Sequence, residues 1–203
     1  MMAPDRILGD YGNSNERCEY LTLAFSPLSV PLRTRWRNNG LSADFLGDYV
    51  TTFLPAASET ASAGKHQAEI RHAVTYIANE LLENAMKYHA HEVDIPIRLR
   101  LELADDRITV SATNGAVAGQ AEHYRTFVER IAPENAGDLL VRQLEDTAAG
   151  NGSAESCLGL LTMMNDYGAK LGWRFEQHGA HPGVTMVTTR AILPLKDRCG
   201  ERA

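Results

Sequence analysis

The stretch Glu80-Leu-Leu-Glu-Asn-Ala-Met-Lys-Tyr-His89 lies late in a helical pattern that starts near Lys65. Apolar residues recur at Ile70, Ala73, Val74, Ile77, Leu81 and Ala85, the three-and-four spacing of a helix with one buried face. Ile70, Ile77 and Leu81 fall near the middle of that face. Glu80 and Asn84, one turn apart, share its shoulder, with Lys87 beside them. A carboxylate and an amide are thus aimed at the edge of the core, where such groups are costly unless something pairs with them. A solvated helix flank would carry the same Glu and Lys residues, so the surrounding chain must decide between the two.

Downstream, Ile95-Pro-Ile-Arg-Leu-Arg-Leu-Glu-Leu103 alternates apolar and polar residues, the mark of a strand with one wet face. Asp105-Asp106 supplies a turn, and Arg107-Ile-Thr-Val-Ser-Ala-Thr113 returns with the same period into Asn114-Gly115-Ala116-Val117. Helical stretches are expected near 118–132 and 135–147, separated by Pro133. Residues 148–156 are small and polar, as in a loop. Cys157 to Tyr167 reads as a helix with a glycine in its first turn, and Gly168 stands near its end. Alternating strands are expected from Lys170 to Gln177 and from Val184 to Leu195.

Upstream, Pro55 and the small residues 56–64 read as a linker. Ser42 is placed to cap a helix through about Phe53, because Phe45, Leu46, Tyr49 and Phe53 share a face. Cys18 to Phe25 reads as a strand. Arg33, Arg35 and Arg37 beside Trp36 suggest surface packed around an aromatic more than a phosphate site. Residues 1–17 are polar and are expected to be loosely ordered.

Composition narrows the function. At 203 residues and 44% apolar, the chain can bury a real core. Twenty basic against 26 acidic residues give a net charge of −6, and no basic run stands out. Nucleic acid and anionic membranes are therefore poor partners. Cys18, Cys157 and Cys199 are sparse and lack metal-ligand spacing, which fits a reducing cytoplasm. Neither an apolar leader region nor a run long enough to span a bilayer is visible, so a cytoplasmic protein is expected. His89 and His91 stand two apart, off a common helix face, and suggest no metal site.

The motif Glu80-x-x-x-Asn84-Ala85, inside a long amphipathic helix, resembles the asparagine box of the GHKL superfamily. That group holds gyrase-type ATPases, Hsp90, histidine kinases and small anti-sigma-factor serine kinases. Asn114-Gly115, after a strand, falls where the superfamily has its first glycine box, with Asn in place of the usual Asp and no second glycine. Leu158-Gly159-Leu160, after a Gly/Ser loop, resembles the second glycine box with fewer glycines. The closing strands resemble those of histidine-kinase catalytic domains, where a hydroxyl such as that of Thr185, Thr188 or Thr189 supports the base contact. The likeness spans about residues 60–195 and is nearest to small stand-alone bacterial regulators of the SiaB type.

The resemblance implies a two-layer α/β sandwich of the Bergerat type: a mixed, mostly antiparallel sheet with helices on one face. Its domain would run over 57–195, with a strand-helix extension at 18–56 and a tail at 196–203. It implies ATP and magnesium as cofactors. Asn84 would hold the metal, Glu80 would act as base, and Lys87 and the Leu158-Gly159-Leu160 turn would meet phosphates. Asn114-Gly115 would face the base. Magnesium needs hard oxygen ligands, and a base must face the same cavity one turn away. The implied function is a nucleotide-binding regulator of a protein partner, such as an anti-sigma-antagonist-like protein, working as a serine/threonine kinase. The alternative is a degenerate module of the same fold that sequesters its partner without chemistry. A homodimer is compatible with either.

Overall fold

The computed structural model describes residues 5–12, 18–26, 39–54, 61–90, 93–131 and 158–195. The expected helix at 135–147, the loop at 148–156, Cys157, Cys199, the 33–37 arginines and His91 lie outside them. Six strands are described: β1 Arg6–Gly9, β2 Glu19–Phe25, β3 Ile97–Leu103, β4 Arg107–Val117, β5 Lys170–Gln177 and β6 Val184–Pro194. The described helices are α1 Asn39–Thr51, α2 Ala61–Lys87, α3 Ala118–Ile131 and α4 Leu158–Asn165.

The strands form one sheet in the order β1-β5-β6-β4-β3-β2. Every described pairing is antiparallel, so among the described residues the sheet is antiparallel throughout rather than mixed. The β3–β4 and β5–β6 pairs are hairpins, whereas β4 and β6 meet only after the intervening helices return the chain to the sheet.

Period-2 alternation gives the sheet two different faces. Ile97, Leu99 and Leu101 of β3, Ile108, Val110 and Ala112 of β4, Leu171, Trp173 and Phe175 of β5, and Val187, Ala191 and Leu193 of β6 join one buried cluster with the helices. Their neighbours Arg100, Glu102, Ser111, Thr113, Arg174, Glu176, Thr188 and Arg190 face the opposite way. This is the expected two-layer α/β sandwich. Helix α2 supplies Val74, Ile77, Ala78, Leu81, Leu82 and Met86 to the core. Helix α1 packs along α2 at Gly47, where a side-chain carbon would overlap Thr75 Oγ1. No described helix is long and apolar enough to cross a membrane.

Several local expectations change. The N-terminal stretch expected to be loose holds β1, which pairs with β5 from Arg6↔Phe175 to Gly9↔Gly172. Its φ of 65° at Gly9 is a glycine conformation that lets the chain turn off the sheet edge. Ser42 is not a cap, because α1 begins at Asn39 and Ser42 sits inside it. Asn114-Gly115 does not follow the strand but belongs to it. β4 runs through it, pairing Asn114 with Val187 and Gly115 with Met186 up to Val117↔Val184. Gly168, with φ 63°, closes α4 as expected.

Candidate functional site

The last two turns of α2 carry Glu80 and Asn84 on one side, as the spacing requires. Each meets a different segment from far along the chain. Gly159, in the first turn of α4, lies so close to Glu80 that a Cβ there would overlap the carboxylate Oε2. Glycine at this position is therefore what lets the carboxylate and the helix start come together. Burial pushes the Glu80 carboxyl above its ordinary 4.5, and the neighbouring Glu83 adds to the rise. The raised carboxyl thus sits beside a helix N-terminus, half-buried at the edge of the core.

One turn further on, Asn84 lines a small cavity together with Asn114 from β4 and Thr189 from β6. Of the three strand hydroxyls singled out, only Thr189 reaches it. Thr188 points to the other sheet face and bonds Thr113 at 2.9 Å, and Thr185 borders a separate surface hollow. Asn114 is 5% exposed. Its Nδ2 is buried with no hydrogen-bond partner among the described residues, which makes it a free donor at the cavity wall.

Two aromatic residues of the wall, Tyr88 and Tyr124, were not singled out from the sequence. Tyr124 of α3 lies across the cavity, stacked on Tyr88 at 5.5 Å and close to Phe127 at 6.2 Å. Its hydroxyl oxygen accepts the Trp173 indole N–H at 3.1 Å and stands 3.3 Å from Thr189 Oγ1. Because indole can only donate, the phenol proton is left for Thr189. Burial raises the Tyr124 pKa, so the ring stays a neutral phenol. With Tyr124 and Gln120 in place, the cavity holds about 10 Å³, the room of a single water.

The remaining candidates fall outside this cavity. Lys87 is exposed, and its ammonium sits 5.0 Å from the centre of the Tyr88 ring instead of facing the pocket. Gly115 faces Ile95 and Val184, and its carbonyl accepts the Ala90 N–H at 2.7 Å, tying down the chain that leaves α2. Leu158 is half-buried at the start of α4, and Leu160 is a core residue. Glu80 with Gly159 and Asn84 with Asn114 are thus brought together, while Lys87, Gly115 and Leu160 serve other contacts.

The residues fit ATP and magnesium only in part. Glu80 and Asn84 offer oxygens of the kind magnesium takes, but a cavity of about 10 Å³ has no room for a purine. Among the described residues, no cluster of three His, Cys, Asp or Glu side chains could hold a metal alone.

This site and sheet define an α/β sandwich with a small pocket, apolar but for a few polar groups, between its long helix and the centre of the sheet. No protein-family model matches the sequence, and no curated protein does. A solved structure is similar in fold: one chain in the crystal structure of the SiaB–SiaC complex from Pseudomonas aeruginosa. The likeness covers 85% of this chain and 89% of that one, with a TM-score of 0.56 and 17% identity.

Proposed function

We propose that this chain is a regulator that binds a protein partner through a GHKL-like fold whose nucleotide pocket is plugged by its own Tyr124. The observation that carries the reading is the position of that ring. It stacks on Tyr88, bonds Trp173 and Thr189, and lines with Asn84 and Asn114 a cavity of only about 10 Å³. Burying a tyrosine covers about 150–250 Å². At roughly 25 cal/mol per Å², expelling the ring costs about 4–6 kcal/mol. A ligand that must first displace it would bind about 10³–10⁴-fold more weakly than to an open pocket. Regulation would then come from capture of the partner, without phosphoryl transfer. The fold shared with a chain of the SiaB–SiaC complex, itself an assembly of two proteins, supports a protein partner.

A second reading keeps the chemistry: an ATP- and magnesium-dependent serine/threonine kinase of an anti-sigma-antagonist-like protein, opened when α3 swings out. The Glu80 carboxyl favours it, being raised by burial and set against Gly159. In that reading Glu80 takes the proton of the partner's hydroxyl and Asn84 holds magnesium. Calorimetry with ATP and magnesium on wild type, Tyr124→Ala, Asn84→Ala and Glu80→Gln separates the two. Capture predicts no saturable binding by wild type at millimolar nucleotide. The kinase reading predicts binding by wild type that Asn84→Ala removes and Glu80→Gln spares.

A further inference from the structure

The sheet face turned away from the helices carries a second cleft, of about 450 Å³, within the range of small-molecule sites. Its floor follows from register. Arg190 on β6 pairs across the ladder with Ser111 on β4, and Ser111 pairs with Arg100 on β3. On the other side Arg190 faces Gly172 of β5, and Arg174 stands two residues further along that strand. The missing side chain at Gly172 lets the segment after β1 cross the sheet, since a Cβ there would meet the Tyr11 backbone at 2.5 Å. This crossing lays the Tyr11 ring 5.6 Å from the Arg190 guanidinium, while Tyr20 stacks under Arg100 at 4.0 Å on the far side.

Three guanidinium groups meet three carboxylates here, but the carboxylates are unevenly shared. Glu102 alone serves two guanidinium groups, bonding Arg190 at 2.8 Å and Arg100 at 3.0 Å. Arg174 spends Nη2 on Asp5 at 2.7 Å and Glu176 at 2.8 Å. Arg190 is 4% exposed, yet its Nε and that of Arg174 are buried with no partner among the described residues. A buried charged donor without an acceptor is expensive. The two guanidinium groups on adjacent strands line a cleft with a tyrosine toward each end, a setting suited to acceptor oxygens.

We infer that this cleft binds a small molecule bearing an oxyanion, phosphate or carboxylate, held by Arg174 and Arg190 with its body between Tyr11 and Tyr20. The site is on the opposite sheet face from Asn84 and Asn114 and does not rest on the function proposed for them. Inorganic pyrophosphate and citrate serve as probes of the full chain, read by thermal unfolding at fixed ionic strength. At least one should raise the midpoint saturably, and the one that does identifies phosphate or carboxylate as the group preferred. Arg174→Gln, half-exposed and outside the Glu102 pair, should weaken that binding about tenfold or more, as expected for a lost charge-assisted bond. Asn84→Ala should bind like wild type. The inference is overturned if neither probe exceeds sodium chloride of matched ionic strength. It is equally overturned if Arg174→Gln binds like wild type, or if Asn84→Ala abolishes the effect. Arg190→Lys, which keeps the charge on Glu102 but loses Nε, gives a second reading of the same contact.

Discussion

At Gly159 one hydrogen atom stands where any other residue would press on the Glu80 carboxylate. The atoms met are the far end of a flexible side chain, so Gly159→Ala need not unfold the protein. Alanine also gains up to about 1 kcal/mol of helix propensity over glycine. The expected effect is near-neutral stability with the carboxylate driven toward water. Its pKa should then fall back toward 4.5, a shift that carbon-detected NMR titration of Glu80 would follow. An unchanged Glu80 titration would mean that the two residues do not meet. The same carboxyl has a linkage consequence. Its folded pKa lies above the unfolded one, so its stabilising contribution is complete below the unfolded value and is lost as pH rises through the folded value. Glu80→Gln should therefore flatten the loss of stability that wild type shows on going from about pH 4.5 upward, as seen in urea midpoints across that range.

Among the elements, α3 is the one whose placement decides the site. Tyr124→Phe leaves the Trp173 N–H buried without its acceptor, at a cost of about 1–3 kcal/mol in chemical denaturation. A variant as stable as wild type would show that this hydrogen bond is not formed. The α1–α2 pair offers a second check. Gly47→Ala presses a methyl on Thr75 Oγ1 and within 3.1 Å of the Arg71 carbonyl, which cannot yield as a side chain can. Overpacking of this kind costs about 1–3 kcal/mol, and equal midpoints for variant and wild type would contradict the close helix contact. The sequence showed α3 as a helix, because Ala121, Tyr124, Val128 and Ile131 keep the period of a buried face. It could not show that this face lies over Asn84 and Asn114, since a local period says nothing about which partner covers it. For the same reason the strand reading stopped at Thr113 and left Asn114-Gly115 beyond it. Only the continued pairing of Ala116 and Val117 with β6 makes it strand.

Across the whole molecule, the order of elements from β2 onward was legible because the strands alternate and the helices keep a stripe, whereas β1, at four residues, is too short to show a period. Strand neighbours and cross-strand rows were not, and the Arg190–Ser111–Arg100 row appears only once β6 is set beside β4. Of the candidate site, Glu80, Asn84, Asn114 and Gly159 were readable as motif positions, whereas Tyr88 and Tyr124 carry no motif and look like ordinary core aromatics. In the proposed reading these two rings decide whether the pocket is open. The most direct test is calorimetric titration of ATP with magnesium into wild type and Tyr124→Ala, each confirmed folded. A plugged pocket predicts no saturable binding by wild type up to about 1 mM and at least a tenfold gain, about 1.4 kcal/mol, once the ring is removed. Micromolar binding by wild type that Tyr124→Ala leaves unchanged would contradict it.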